Sequence, residues 1–187
     1  MEFYLHYRGR LKGNARPSEK HSLRQHFHKQ LKELWSQKPL SDYAIDPSTE
    51  DFTNQESSFV RKIGSFVFVP LINESMNLIA ELEIILLRPE PPGAIITQSG
   101  DIDNRLKTLF DALRIPHSPT EYLKLDAPKP DEIPFFCLLE DDNLIQHVSI
   151  RTDRLLEPAD NSLEVELLIR VRSKITRATM ENLGLGV

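Results

Sequence analysis

Residues 76–88 read MNLIAELEIILLR, and the fold turns on them. Leu78, Ala80, Leu82, Ile84 and Leu86 fall on one face at the two-residue period of a strand. The other face carries Ile79, Ile85 and Leu87 beside Glu81 and Glu83. That mixture predicts a central strand with both faces partly covered. The stretch RPEPPG at 88–93 stops it. Upstream, residues 64–71 form another apolar run, and Asn73-Glu74-Ser75 reads as a hairpin turn between the two. Three more strands are predicted. In residues 2–11, Phe3, Leu5 and Tyr7 alternate with Tyr4, His6 and Arg8. An apolar run at 144–151 follows the acids of 140–142. In residues 162–172, Leu163, Val165, Leu167, Ile169 and Val171 alternate with Glu164, Glu166, Leu168, Arg170 and Arg172.

Two helical patterns interrupt the strands. Pro17 and Ser18 open the first, with Ser18 the expected N-cap and Pro39 the expected stop. Leu23, Phe27, Leu31 and Leu34 form its apolar stripe. His21, Arg24, His28 and Lys32 fall on a second face, which reads as a surface for a phosphate backbone. The second helix covers about 101–114, with Ile102, Leu106, Leu109, Phe110 and Leu113 as its buried stripe. Residues 39–62 are polar and acidic and read as a long loop. Residues 115–135 hold five prolines and read as an irregular excursion. Strands and helices in this order predict an α+β fold: one domain over 1–187, a small mixed sheet with helices packed on it, and insertions near 39–62 and 115–135.

Composition bounds the function. A chain of 187 residues, 40% hydrophobic and 27% charged, is ordinary for one soluble domain able to bury its own core. No apolar run reaches the ~18 residues of a membrane span, and MEFYLHYRGR has no signal-peptide core, so the expected location is cytoplasmic. The single Cys137 excludes a disulfide framework and a thiolate zinc site. It sits in IPFFCLL and reads as a packing residue, as does Trp35. The net charge of −5 is uneven: residues 1–38 hold 9 Lys/Arg against 3 Asp/Glu, the remainder 14 against 25. A basic arm on an acidic body suits a partner carrying phosphates. Arg8, Arg10, Lys12 and Arg16, with Arg24 and Lys32 on the helix, are the candidate contacts.

The densest chemistry lies in GDIDNRLKTLFDAL at 100–113 and in Glu140-Asp141-Asp142. Asp103, Lys107 and Asp111 recur at i, i+4 and i+8, off the apolar stripe. Asp101 stands two residues before Asp103, where it can converge with it or cap the helix. Three successive acids at 140–142 repel one another unless something neutralises them. A hard divalent cation takes oxygen ligands, so Asp101 and Asp103 from a helix start, with Asp142 or Asp141 from a strand start, would make a magnesium site. Lys107 pairs with Asp103 or Asp111 in the bland reading, and meets a phosphate in the functional one.

GDIDNRLKTLFDAL followed by EDDNLI resembles the signature of the RusA family of Holliday junction resolvases. The shared features are an Asp-x-Asp-Asn at a helix start, a Lys four residues after the second Asp, an Asp-Ala-Leu further on and a later Asp-Asp before a strand. Here these are Asp101, Asp103, Asn104, Lys107, Asp111-Ala112-Leu113 and Asp141-Asp142. The resemblance is sharp over about 101–113 and 140–145. It implies a homodimeric endonuclease that uses Mg2+, with Mn2+ a possible substitute, to cut branched DNA during recombination and repair. By position, Asp101, Asp103 and Asp142 would hold the metal and Lys107 would be the essential basic residue. Asp141 and Asp111 match positions of less certain role. Two alternatives stay open: a DNA-binding protein of the same fold without catalysis, and a metal-dependent nuclease with another DNA-structure preference.

Overall fold

The computed structural model describes residues 1–43, 45, 59–89, 102–123, 125–158 and 163–186. In these the chain forms β1 (Glu2–Arg10), α1 (Pro17–Trp35), β2 (Arg61–Ile63), β3 (Phe66–Ile72), β4 (Leu78–Arg88), α2 (Ile102–Leu113), α3 (Pro119–Tyr122), β5 (Phe135–Leu139), β6 (Ile145–Arg154) and β7 (Glu164–Ile175). Short 3-10 turns cover Leu40–Asp42, Pro130–Glu132 and Asp142–Leu144. The fold is α+β, as expected, but its strands divide between two sheets. One has the order β1-β7-β4-β6, the other β2-β3-β5. None of the described helices is long and apolar enough to cross a membrane.

β4 is central in the larger sheet, antiparallel to β7 and parallel to β6. Its inward side chains, Leu78 to Leu86 at every second position, are buried with Val165, Leu167, Ile169 and Val171 of β7 and Leu5 of β1. Each such aliphatic side chain contributes about 1.5–3 kcal/mol through burial. The outer face is a ladder of cross-strand ion pairs: Arg170 with Glu2 and Glu83, Arg172 with Glu2, and Lys174 with Glu81. Tyr4, Ile85 and Leu168 stand exposed among them.

The expected hairpin at Asn73–Ser75 does not form, because β3 and β4 belong to different sheets. The turn transfers the chain between them instead. Asn73 is fully buried: its amide donates to the Pro70 carbonyl, and its Oδ1 accepts from Met76 N–H at 2.9 Å and Ser75 Oγ at 2.8 Å. Asn77 takes the left-handed conformation at φ 52°, and its carbonyl accepts from Thr176 N–H. β3 is buried along its whole length, with β2 antiparallel on one side and β5 parallel on the other. β2 and β5 were not read as strands. FFCLL is apolar at every position and lacks the alternation that marks a half-buried strand.

α1 lies between the two sheets and is buried on two sides. Leu23, Phe27, Leu31 and Trp35 pack into the main core, with Trp35 edge-on to Phe59. His21, Arg24 and His28 are also buried, against the smaller sheet and α2. The helix starts two residues earlier than Ser18 implied. Arg16 is the N-cap, Pro17 occupies the first helical position and the Glu19 carboxylate accepts from Arg16 N–H at 2.7 Å. It ends at Trp35, before Pro39. The loop at 39–62 is described only at its two ends. The excursion at 115–135 is more ordered than its prolines implied, holding α3, a 3-10 turn and the start of β5. Cys137 is buried beside Phe66 and Phe135, and burial pushes its thiol up to about 12.

Candidate functional site

α2 presents its acidic side at the surface because its other sides are taken. It packs against α1 and β5. The buried set is Arg105, Thr108, Leu109, Asp111, Ala112 and Leu113, while Ile102, Leu106 and Phe110 are only half-buried. The buried sector is therefore rotated from the apolar stripe toward α1. At Thr108 and Asp111 protein partners offset the cost of burying a polar group. Thr108 Oγ1 accepts from Ala15 N–H at 3.3 Å. Asp111 accepts from Lys20 Nζ at 2.6 Å on one oxygen and from Arg114 Nη2 at 2.8 Å on the other.

Asp103 and Lys107 stay on the open side, exposed and in no ion pair among the described residues. Asp101 lies outside the described residues. The loop after β1 abuts the helix start. A Cβ on Gly13 would stand 2.9 Å from Asn104 Cβ, so only glycine lets the backbone come this close. The loop cations Arg10, Lys12 and Arg16 are exposed, with side chains in no ion pair among the described residues. Arg10 and Lys12 line a cleft of about 340 Å³ together with Tyr7, Leu11, Leu23 and Thr108.

The second acidic cluster follows β5. Arg114 bridges to Leu139, and Ile115 N–H donates to the Leu139 carbonyl at 3.0 Å, so the chain leaving α2 runs beside the end of β5. The Asp142–Leu144 turn thereby rests against α2. Within the triplet, Glu140 is tied by Arg61 on one oxygen and by Glu74 N–H on the other. Asp141 accepts from Asn143 N–H at 2.8 Å on Oδ1, and its Oδ2 is 3.0 Å from His117 Nδ1. Asp142 alone of the three has no cation, and it is exposed.

The electrostatics follow the same division. Burial works to raise the Asp111 carboxyl, but Lys20 and Arg114 outweigh it and hold it below the usual carboxylate range. Desolvation also opposes ionisation of Asp141, yet Asn143 N–H, a hydrogen bond shared with Asp142 and the charge of His117 lower its pKa. Asp142 moves the other way. Desolvation, then the hydrogen bond shared with Asp141, raise it. On α2 the charges that act on Asp142 are Arg114 and Asp111. Asp103 stands eight residues earlier, about 12 Å along a helix axis.

The donor type suits a hard cation: Asp103, and Asp142 beyond the hydrogen bond it shares with Asp141, offer carboxylate oxygens at the surface. Asp111 and Asp141, the two acids of unassigned role, each have both oxygens occupied by protein partners and act as structural acids. Among the described residues no three His, Cys, Asp or Glu side chains stand at metal-binding spacing.

The expected phosphate contacts divide as well. Arg24 is a correction: it is buried, and its guanidinium donates to the carbonyls of Asp111 at 2.6 Å and Arg114 at 2.9 Å. It satisfies the open C-terminal end of α2 and does not face a ligand. His21 and His28 are likewise internal, His28 accepting from Phe136 N–H at 2.9 Å. Lys32 donates to the Asp131 carbonyl, and Arg8 pairs with Glu157 and Glu164. Sequence reasoning missed His117, Lys20 and Arg114. Arg114 follows directly on the Asp-Ala-Leu run and was within reach of an i, i+3 argument with Asp111. His117 carried no local signal. Comparison with models of protein families, with curated proteins and with solved structures found no match.

Proposed function

We propose that this protein is a metal-dependent endonuclease that hydrolyses phosphodiester bonds in branched DNA. One observation carries the reading: among the described residues, Asp111, Glu140 and Asp141 are each held by a basic side chain, whereas Asp103 and Asp142 are exposed and pair with none, and Lys107 is exposed one turn along from Asp103. Exposed acids are commonly just solvated, but these two belong to the two acidic clusters and supply the oxygen ligands that a hard cation takes. Asp103 and Asp142, with Asp101 by its place in the motif, would hold Mg2+ or Mn2+. The bound metal would supply charge relief at the phosphate and a more acidic water. Lys107 places an ammonium against a phosphate oxygen, and Arg10, Lys12 and Arg16 hold the strand alongside. Two cuts across a junction call for two equivalent sites, so the active species is a two-fold homodimer in the cytoplasm. Tyr4, Ile85 and Leu168 on the open sheet face offer apolar surface for it.

A second reading keeps the nuclease and changes its substrate. The segment 115–134 brings His117 against the acidic turn, so the approach to the site is shaped by this chain's own insertion. That favours flaps or other branched forms. Incubating the purified protein with Mg2+ and a panel of four-way, flap, nicked and linear DNAs tests both. Cleavage of the four-way junction on two strands is expected. Cleavage of flaps alone selects the second reading, and no cleavage of any substrate in Mg2+ or Mn2+ overturns the function.

A further inference from the structure

We propose that His117 is a positioning residue that selects Asp142, over its neighbour Asp141, as the acid open to a cation. The proposal rests on the reading of Asp142 as a metal-holding residue.

The imidazole sits where the chain leaving α2 passes the acidic turn. Its Nε2 is 2.8 Å from the Glu140 carbonyl oxygen and its Nδ1 is 3.0 Å from Asp141 Oδ2. Both ring nitrogens therefore face protein oxygens. Asp141 Oδ1 is already taken by Asn143 N–H at 2.8 Å. With His117 in place, Asp141 has no oxygen left to offer and serves as the cap of the turn that carries Asp142.

Three consequences follow from removing the ring. Asp141 Oδ2 becomes a competing donor one residue from the intended one. The Glu140 carbonyl loses a donor, which loosens the backbone leading into the turn. The positive group that offsets Asp141 disappears, so the repulsion between Asp141 and Asp142 grows. His117 is itself anchored, because its N–H donates to Glu121, which also receives Arg114. Partners that orient metal-holding carboxylates typically matter by 10–100-fold in affinity.

The test uses the full chain, with His117→Ala, His117→Lys and Asp142→Asn as variants. Manganese binding is read by electron paramagnetic resonance, the Mg2+ dependence of junction cleavage by titration, and junction affinity without metal by gel shift. His117→Ala is expected to raise both the Mn2+ dissociation constant and the Mg2+ concentration for half-maximal cleavage about tenfold. Junction affinity stays unchanged. His117→Lys, which restores a donating cation, recovers most of the loss, an outcome that a purely packing role would not give. Unchanged Mn2+ binding in His117→Ala, while Asp142→Asn loses it, overturns the proposal and leaves the nuclease reading standing. Unchanged Mn2+ binding in Asp142→Asn overturns that reading and the proposal with it. The His117 ring is part-exposed, so the alanine variant is expected to melt within a few degrees of the parent. If it does not fold, a failure of His117→Lys to bind Mn2+ as the parent does overturns the proposal.

Discussion

On α1, His21, Arg24, His28 and Lys32 recur every three or four residues; on α2, Asp103, Lys107 and Asp111 do the same. From spacing alone both sets are polar faces. The structure turns the first one inward. His21 lies edge-on to Phe66, His28 stacks near Phe135 and Phe136, and Arg24 closes the carbonyl end of α2. The second set splits. Asp111 is drawn in by Lys20 and Arg114, while Asp103 and Lys107 remain at the surface. A helical face is polar by sequence but functional only by what stands opposite it. Between two sheets, a polar face becomes a set of internal struts. At the edge of the molecule, it is left to a ligand.

The contrast predicts opposite outcomes for substitutions on the two helices. The largest effect belongs to the open face. Asp103→Asn is expected to lower junction cleavage at least about a thousandfold, roughly 4 kcal/mol in the barrier. Junction binding should hold or tighten, because one repelling charge is gone, and the melting temperature should not fall. Cleavage at the parental rate, measured beside a gel shift on the same junction, would show that this face is not the site.

Arg24→Ala should do the reverse. It leaves the Asp111 and Arg114 carbonyls buried without their donor, at a cost of about 3 kcal/mol in urea unfolding. Intrinsic DNA affinity of the folded fraction should not change. A loss of affinity with full stability would return Arg24 to the DNA-binding surface.

Next in size is an acid effect on the inward face. Burial, helped by the nearby Arg24 charge, lowers the His21 pKa from 6.5 to about 4. The unfolded chain takes up this proton near pH 6.5 and the folded chain only near pH 4, so acid favours unfolding between the two. Stability should be full above about pH 7 and fall by about 2 kcal/mol toward pH 4, after allowance for residual solvent screening. His28, also lowered by burial, adds in the same direction. His21→Leu should flatten the profile measured by denaturant titration at fixed pH values. An unchanged slope would place the acid sensitivity elsewhere.

The smallest effects are expected in the basic loop. Arg10→Ala, Lys12→Ala and Arg16→Ala should each weaken junction binding by about 1 kcal/mol and reduce the salt slope by about one unit. Stability should stay within about 0.5 kcal/mol of the parent. Arg8→Ala, whose partners are Glu157 and Glu164, should leave the slope alone.

The strands with clear alternation were legible in advance: β1, β4 and β7 fall where the two-residue period placed them, and β6 follows the acids of 140–142 as expected. The α+β class and both long helices were legible too. The partition into two sheets was not, because nothing local distinguishes an Asn73 that closes a hairpin from one that caps a transfer between sheets. β5 hid in a uniformly apolar run. At the site, the motif picked out Asp103, Lys107 and Asp142, but which acid of each cluster stays open depends on Lys20, Arg114, Arg61 and His117. Arg114 lies three residues from Asp111, but Lys20, Arg61 and His117 reach their acids from distant parts of the chain, and such pairing leaves no periodic trace.

The register of the larger sheet has a consequence for how the chain is made. β1 pairs along its full length with β7, from Glu2 opposite Arg172 to Arg10 opposite Glu164. At typical synthesis rates of 5–20 residues per second, the first strand leaves the ribosome about 10–30 s before its partner exists. During that interval Phe3, Leu5 and Tyr7 are a short unpaired β-strand within reach of neighbouring nascent chains. The strand alternates these with Tyr4, His6 and Arg8, and the arm that follows carries a high density of positive charge. Both features discourage strand-to-strand aggregation, so the basic arm would protect the chain during its own synthesis.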